Sequence, residues 1–215
     1  MTVKPPVPPK APSPRRSGAN RLKREDWLDA AFMAVVDEGF GAARVLVLAQ
    51  RLDVTRGSFY WHFSDHNELI QALVTRWQDG EREAVQRLYA DQTDAPQADL
   101  ERLLDAALAH AGAHFENLRF ELALRDLGRR NAAVLAMLAE VDQVRMALFT
   151  HKFKRLVGDE VVASELAALF YIAVSGSGQA LSRPNGPPHA RAFLSGVIRR
   201  YVIGWPVQEG VGNAA

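Results

Sequence analysis

Cysteine is absent from the 215 residues, so thiol nucleophiles, CxxC redox chemistry and thiolate zinc sites are excluded. No uninterrupted apolar stretch approaches the roughly 18 residues that a membrane span needs. The N-terminus is basic and rich in proline, with no apolar segment behind it, which points away from a secretion signal. These absences predict a soluble, unexported chain with no membrane partner. The enzyme signatures are missing too: there is no GxxxxGK[ST], no strand-borne GxGxxG, no GxSxG elbow and no HExxH. Ser177, which stands between two glycines, has no base near it in sequence, so neither enzyme nor cofactor is expected. Alternation with period two never persists long enough for a strand, and the expected fold class is all-α.

A chain of this length can bury an ordinary core without staples. Its formal net charge of +1 conceals an uneven distribution. Residues 1–24 hold Lys4, Lys10, Arg15, Arg16, Arg21, Lys23 and Arg24 and no acid; of the chain's 26 basic and 25 acidic residues, the remainder therefore keeps 19 basic against 25 acidic, a balance of −6. A basic arm on an acidic body points to a polyanion at one end, although a merely solvated tail carries the same charge. Six of the eleven prolines lie within residues 1–14, which favours an extended or disordered arm over residues 1–20.

After the arm, Trp27, Leu28, Ala31, Phe32, Val35 and Val36 follow the rhythm of an amphipathic helix closed by Gly39. A short run from Val45 to Leu52 predicts a second helix, stopped at Asp53-Val54-Thr55. Thr55 is placed to N-cap a third helix, from Arg56 to Phe63. Asp65 with Glu68 forms a capping-box-like start for a long fourth helix through Leu69, Leu73, Trp77, Val85 and Leu88. Beyond a polar stretch at 91–98, helices are expected at about 100–117, 120–128, 131–157, 160–181 and 189–203, the last after the breaker Arg183-Pro-Asn-Gly-Pro-Pro188.

The densest signal is Leu52-Asp-Val-Thr-Arg-Gly-Ser-Phe-Tyr-Trp-His-Phe63. Gly57 and Ser58 allow close approach of a duplex, and Thr55, Ser58, Tyr60 and His62 can donate to phosphate oxygens. Arg56 opens the third helix, where such proteins read base edges, and its fork suits guanine O6 and N7. Phe59 and Phe63, four apart, are assigned to the core. Tyr60 and Trp61 then point elsewhere and need a partner.

At these residues the chain resembles the tetracycline-repressor (TetR) family of bacterial transcription regulators. The likeness runs from Leu22 to about Trp77, through Arg24-Glu25, Asp29-Ala30-Ala31, Gly39, Leu48-Ala49, Leu52-x-Val54-Thr55 and Gly57-Ser-Phe-Tyr-Trp-His-Phe63. It implies an N-terminal three-helix helix-turn-helix domain (21–68) joined by a long helix to a helical-bundle domain for ligand binding and dimerisation (69–207), with a tail at 208–215. It implies a cytoplasmic, nucleoid-associated regulator that binds a palindromic operator in double-stranded DNA as a homodimer, acting as a repressor released by a small-molecule effector. A nonspecific, architectural nucleic-acid-binding dimer is the alternative. The resemblance carries DNA contact onto Arg44, Val45, Thr55, Arg56, Gly57, Ser58, Tyr60, Trp61, His62 and His66.

Three positions depart from the family pattern. Ala43, Arg44 and Val45 stand where the second helix usually offers Ser or Thr, so Arg44 is expected to act by charge. Asp53 replaces the usual turn glycine and must tolerate left-handed geometry. His66 replaces a common lysine, which predicts operator affinity that rises modestly as the imidazole becomes charged.

The C-terminal half is less specific. By the resemblance, the last two helices pair with their symmetry mates; Gly176, Ser177, Gly178 and Ala180 either permit close approach there or unwind the helix end. A ligand pocket is expected between walls of Phe115, Leu118, Leu122, Phe149, Phe153 and Phe170, with His114, Arg125 and Asp142 as polar handles. His110 and His114 have chelating spacing but no following carboxylate, so no metal is expected.

Overall fold

The computed structural model describes the backbone of residues 22–113, 115–181 and 190–204, with side chains for all of these except 109–113, 115, 177–181, 190 and 191; among these described residues the apolar rhythm after the arm becomes nine α-helices. The helices are α1 (Arg24–Glu38), α2 (Val45–Arg51), α3 (Arg56–Phe59), α4 (His66–Ala90), α5 (Pro96–Ala113), α6 (Phe115–Gly128), α7 (Ala132–Val157), α8 (Glu160–Leu181) and α9 (Ala190–Ile198). No strand occurs among the described residues. No helix there is long and apolar enough to cross a membrane.

Local chemistry explains where the helices start and stop. Gly39 ends α1 at φ +81, a region that costs a side-chain-bearing residue, while its N–H donates to Val35 O at 2.8 Å. Asp65 caps α4, its Oδ1 accepting from Glu68 N at 2.8 Å. Glu68 completes the box one residue early, accepting from Ser64 N at 2.7 Å instead of from the cap residue itself. Asn131 caps α7 through Ala133 N and Val134 N, and Gly158 closes it at φ +76. Asp159 accepts from Val161 N and Val162 N to start α8.

Two hydrophobic cores organise the chain. The first gathers Trp27, Leu28, Val35, Leu48, Phe59, Phe63, Leu69, Leu73 and Trp77, but also Phe120 and Leu124 of α6 and Val134, Leu138 and Val141 of α7. The helix-turn-helix thus shares its interior with the body: Phe32 stacks on Phe120 at 4.9 Å, and Phe40 reaches the same ring at 5.7 Å. The second core joins Val85, Leu100, Leu104, Leu148, Phe149, Phe153, Phe170 and Ile198. Among the described residues, only α4 and α7 place buried side chains in both cores. The change of core falls between Trp77 and Val85 on α4 and between Val141 and Leu148 on α7, and Glu81 and Arg145 occupy those intervals.

Several elements differ from the expectation. The third helix ends at Phe59 instead of Phe63, and Phe63 is held in the following turn, its N–H donating to Phe59 O at 3.1 Å. Thr55 stands at the cap position without a side-chain cap bond. A 3-10 turn at Phe40–Ala42, too short to leave a periodic signal, precedes α2. The fifth helix begins at Pro96, inside the stretch read as linker, because proline fits a first helical turn and Asp99 anchors the preceding chain by accepting from Thr93 N and Oγ1. The sixth begins at Phe115, five residues earlier than expected. The ninth changes to a π-helical turn over Arg199–Ile203. The breaker at 183–188, the arm at 1–20 and the tail at 208–215 lie outside the described residues.

Candidate nucleic-acid interface and cavity

Core packing dictates which residues of the dense motif face outward. Phe59 is fully buried, edge-on to Trp27 at 5.3 Å and stacked on Phe63 at 5.3 Å. With those two rings pinned inside, the intervening residues have nowhere to go but out: Tyr60 is 52% exposed and Trp61 79%. An indole left that far in water is the exception for its type. Arg44, Thr55, Arg56 and Gly57 are also exposed, while Val45, Ser58, His62 and His66 are half-buried.

The surface is partly preorganised. Arg56 Nη2 donates to Tyr60 Oη at 3.3 Å, one turn along, which aims the guanidinium. Gly57 is not required by the fold: a Cβ there would meet nothing nearer than Thr55 Oγ1 at 3.8 Å. The missing side chain leaves open space on the outer side. Arg44 precedes α2 in extended conformation with no cap bond, its charge unengaged by capping. Asp53 sits at φ +53, the left-handed conformation expected of the residue standing for a glycine. His66 Nε2 donates to Ala43 O at 2.9 Å, tying the start of α4 to the segment before α2. Arg24 braces the same corner, its guanidinium 4.5 Å from the Phe63 ring centroid and 3.4 Å from Glu68.

A cavity of about 410 Å³ opens in the body between α4, α5, α6, α7 and α8. Of the residues expected there, Leu118, Leu122, Arg125 and Phe149 line it. Asp142 stands behind Arg125, and Phe170 packs in the core edge-on to Phe149 at 5.2 Å and to Phe153 at 5.8 Å, so neither Phe170 nor Phe153 forms a wall. The side chains of His114 and Phe115 lie outside the described residues, as does the His110–His114 pair. No metal-binding group of three or more ligands occurs among the described residues.

The sequence reading missed the polar wall. Glu81, Glu121, Arg145 and Tyr171 also line the cavity. Arg145 donates to Glu81 at 2.7 Å and to Glu121 at 3.0 and 3.1 Å. Arg125 donates to Glu121 at 2.6 and 3.0 Å and to Asp142 at 2.8 and 3.1 Å, and Tyr171 Oη donates to Asp142 Oδ1 at 2.5 Å. Burial pushes the Glu121 carboxyl up, but the guanidiniums of Arg145 and Arg125 outweigh it and hold it below the usual range. Asp142 is held low in the same way by Arg125 and Tyr171. Both carboxylates are therefore ionised, and the network joins α4, α6, α7 and α8.

An apolar surface runs along the last two helices. Val161, Leu169 and Ile172 are exposed on α8, and Phe193 on α9 and Tyr201 in the π-helical turn are exposed beyond it. Helix α8 continues unbroken through Gly176 to Leu181, so the small residues do not unwind it, and a Cβ on Gly176 would meet nothing within 4 Å. The side chains of residues 177–181 are not described.

The family model for bacterial regulatory proteins of the tetR family matches residues 28–73. The HTH-type transcriptional regulator BetI of Stenotrophomonas maltophilia (strain R551-3) is 22% identical over 142 residues, 66% of this chain and 72% of the relative. A putative transcriptional regulator from Saccharomonospora viridis, solved in complex with choline, superposes with a TM-score of 0.70 at 16% identity, covering 83% of this chain and 96% of that one. A TetR transcription regulator from Haloarcula marismortui ATCC 43049 does so with a TM-score of 0.68 at 12% identity, covering 84% and 96%.

Proposed function

We propose that the chain is a DNA-binding regulator of the TetR type, a homodimeric repressor that grips a palindromic operator and lets go when a small molecule fills the cavity of its body; the tetR-family match over residues 28–73 and the likeness to BetI support the DNA-binding part. The observation that carries the DNA-binding part is the outward placement of Tyr60 and Trp61 beside Arg56, Thr55 and a glycine the fold does not need. In this reading Arg56 reads base edges, while Arg44, Thr55, Ser58, Tyr60, Trp61 and His62 hold the sugar–phosphate wall with Val45 and Gly57 close against it. His66 acts at one remove, keeping α4 attached to the docking surface through Ala43.

The exposed apolar side chains of α8 and α9 are the proposed dimer face, which would set two recognition helices one turn of DNA apart, about 34–36 Å. The cavity is the proposed effector site. Its wall includes α4, whose other end is bound to the docking surface, so an occupant that favours one placement of α4 shifts the population between matched and mismatched spacings. Selection of bound duplexes from a random pool tests the whole: an enriched palindrome with half-sites one turn apart is expected. Recovery of unselected DNA, with operator preference below about 10³ over random sequence, would instead favour the architectural alternative.

A further inference from the structure

We infer that the effector carries a cationic head on an apolar body, with Glu81 as its counter-ion. This rests on reading the cavity as the effector site. The network at one pole of the cavity holds three carboxylates, Glu81, Glu121 and Asp142, against two guanidiniums, Arg125 and Arg145. One negative charge is left over.

The hydrogen bonds locate it. Glu121 Oε1 accepts from Arg125 and Arg145, and its Oε2 accepts from Arg145. Asp142 Oδ1 accepts from Arg125 and Tyr171, and its Oδ2 from Arg125. Glu81 accepts only at Oε2, from Arg145 at 2.7 Å, and its Oε1 takes no donor among the described residues. The unfilled valence at this pole is therefore an acceptor on a carboxylate, partly exposed where the cavity meets solvent.

Ligand heads of different charge meet this pole differently. An anion would have to strip a guanidinium from a carboxylate that is mostly buried, leaving that carboxylate uncompensated. A neutral head would displace water from the surplus charge and return nothing ionic for it. An ammonium cancels the charge and donates to the free oxygen. The rings of Phe149 and Tyr171, with centroids 5.9 Å apart, line the same cavity and favour a cation further. Arg87 also lines the cavity, but it stands six residues from Glu81, about 9 Å along α4 by the helical rise, exposed and paired with Glu83 at 3.6 Å. Water screens it there. The remaining walls, among them Ala84, Val85, Leu103, Leu118, Leu122 and Leu148, would hold the apolar body. The head would share Glu81 with Arg145, the ion pair that links α4 to α7 where the two cores meet.

The test is calorimetric titration of the full chain at neutral pH with phenylbutylamine, phenylbutanol and phenylbutyrate, which share one body, followed by operator binding with each. The amine should bind about tenfold or more tightly than the alcohol, in line with a charged hydrogen bond, and the carboxylate most weakly. Glu81→Gln should erase the gap between amine and alcohol, chiefly by weakening the amine. An alcohol or carboxylate that matches the amine in the unaltered chain, a ranking that needs no variant to fold, overturns the cationic head and leaves the cavity reading standing. A gap that survives Glu81→Gln overturns Glu81 as the counter-ion. An amine that binds first in rank without changing operator occupancy overturns the effector reading instead, and binding by none of the three overturns both.

Discussion

Around the recognition helix the interior is hydrocarbon and aromatic, with Trp27, Phe59, Phe63 and Leu69 sealed from water and charged groups kept outside. In the body, a cavity lies beside a partly buried network of three carboxylates and two guanidiniums. A close-packed apolar core resists small displacements and keeps a docking face rigid. Ion pairs around a void can exchange partners when something enters. On the proposed function the two halves divide the work of a regulator, and α4 and α7 belong to both.

If that contrast is real, the largest response should come from the packed half. Phe59→Ala removes the ring that pins Tyr60 and Trp61 outward, and should cost about 4 kcal/mol by cavity formation, read as loss of cooperative unfolding in denaturant. Next is the charged half: Arg145→Ala leaves Glu81 and Glu121 without their shared cation and should cost about 3 kcal/mol. The acid response follows from the same network. Glu121 and Asp142 have lowered folded values, so their stabilisation is complete above the ordinary glutamate value of 4.5 and is lost as pH falls through the lower folded values. Thermal melts should fall below that pH in the unaltered chain, and Arg145→Ala, which lets burial raise the folded Glu121 value back toward the unfolded one, should make the fall shallower. A melt profile indifferent to the variant would contradict the network's role.

Smaller effects separate docking from folding. Arg56→Ala should lower operator affinity by about 1–3 kcal/mol and relax preference at one base pair, with the melting temperature unchanged, as fluorescence anisotropy and calorimetry would report. Asp53→Gly should raise stability by about 1 kcal/mol, since glycine takes φ +53 without strain, and should tighten DNA binding slightly by removing an exposed negative charge near the duplex. Weaker binding by that variant would show that Asp53 holds the turn in some other way.

Much of the docking half was legible in the chain. Gly39, Asp65 and the helical rhythm from Trp27 are local signals, and the structure realises them within a residue or two. The burial of Phe59 and Phe63 followed from their spacing, even though α3 stops at Phe59 and the turn, not the helix, seats the second ring. The tie from His66 was not legible, because its partner is the carbonyl of Ala43, 23 residues away.

What the order of residues determined unaided was the helical class, the helix-turn-helix with its outward aromatics and the lack of thiol chemistry, since capping, periodicity and motif spacing act over a few residues. Only the tertiary structure decided the cavity's polar wall and the sharing of the first core between the recognition helices and α6 and α7. Arg145 meets Glu121 across 24 residues and Glu81 across 64, on three different helices. No short-range pattern records such a meeting, because it is the packing of whole helices that brings their charges to one place.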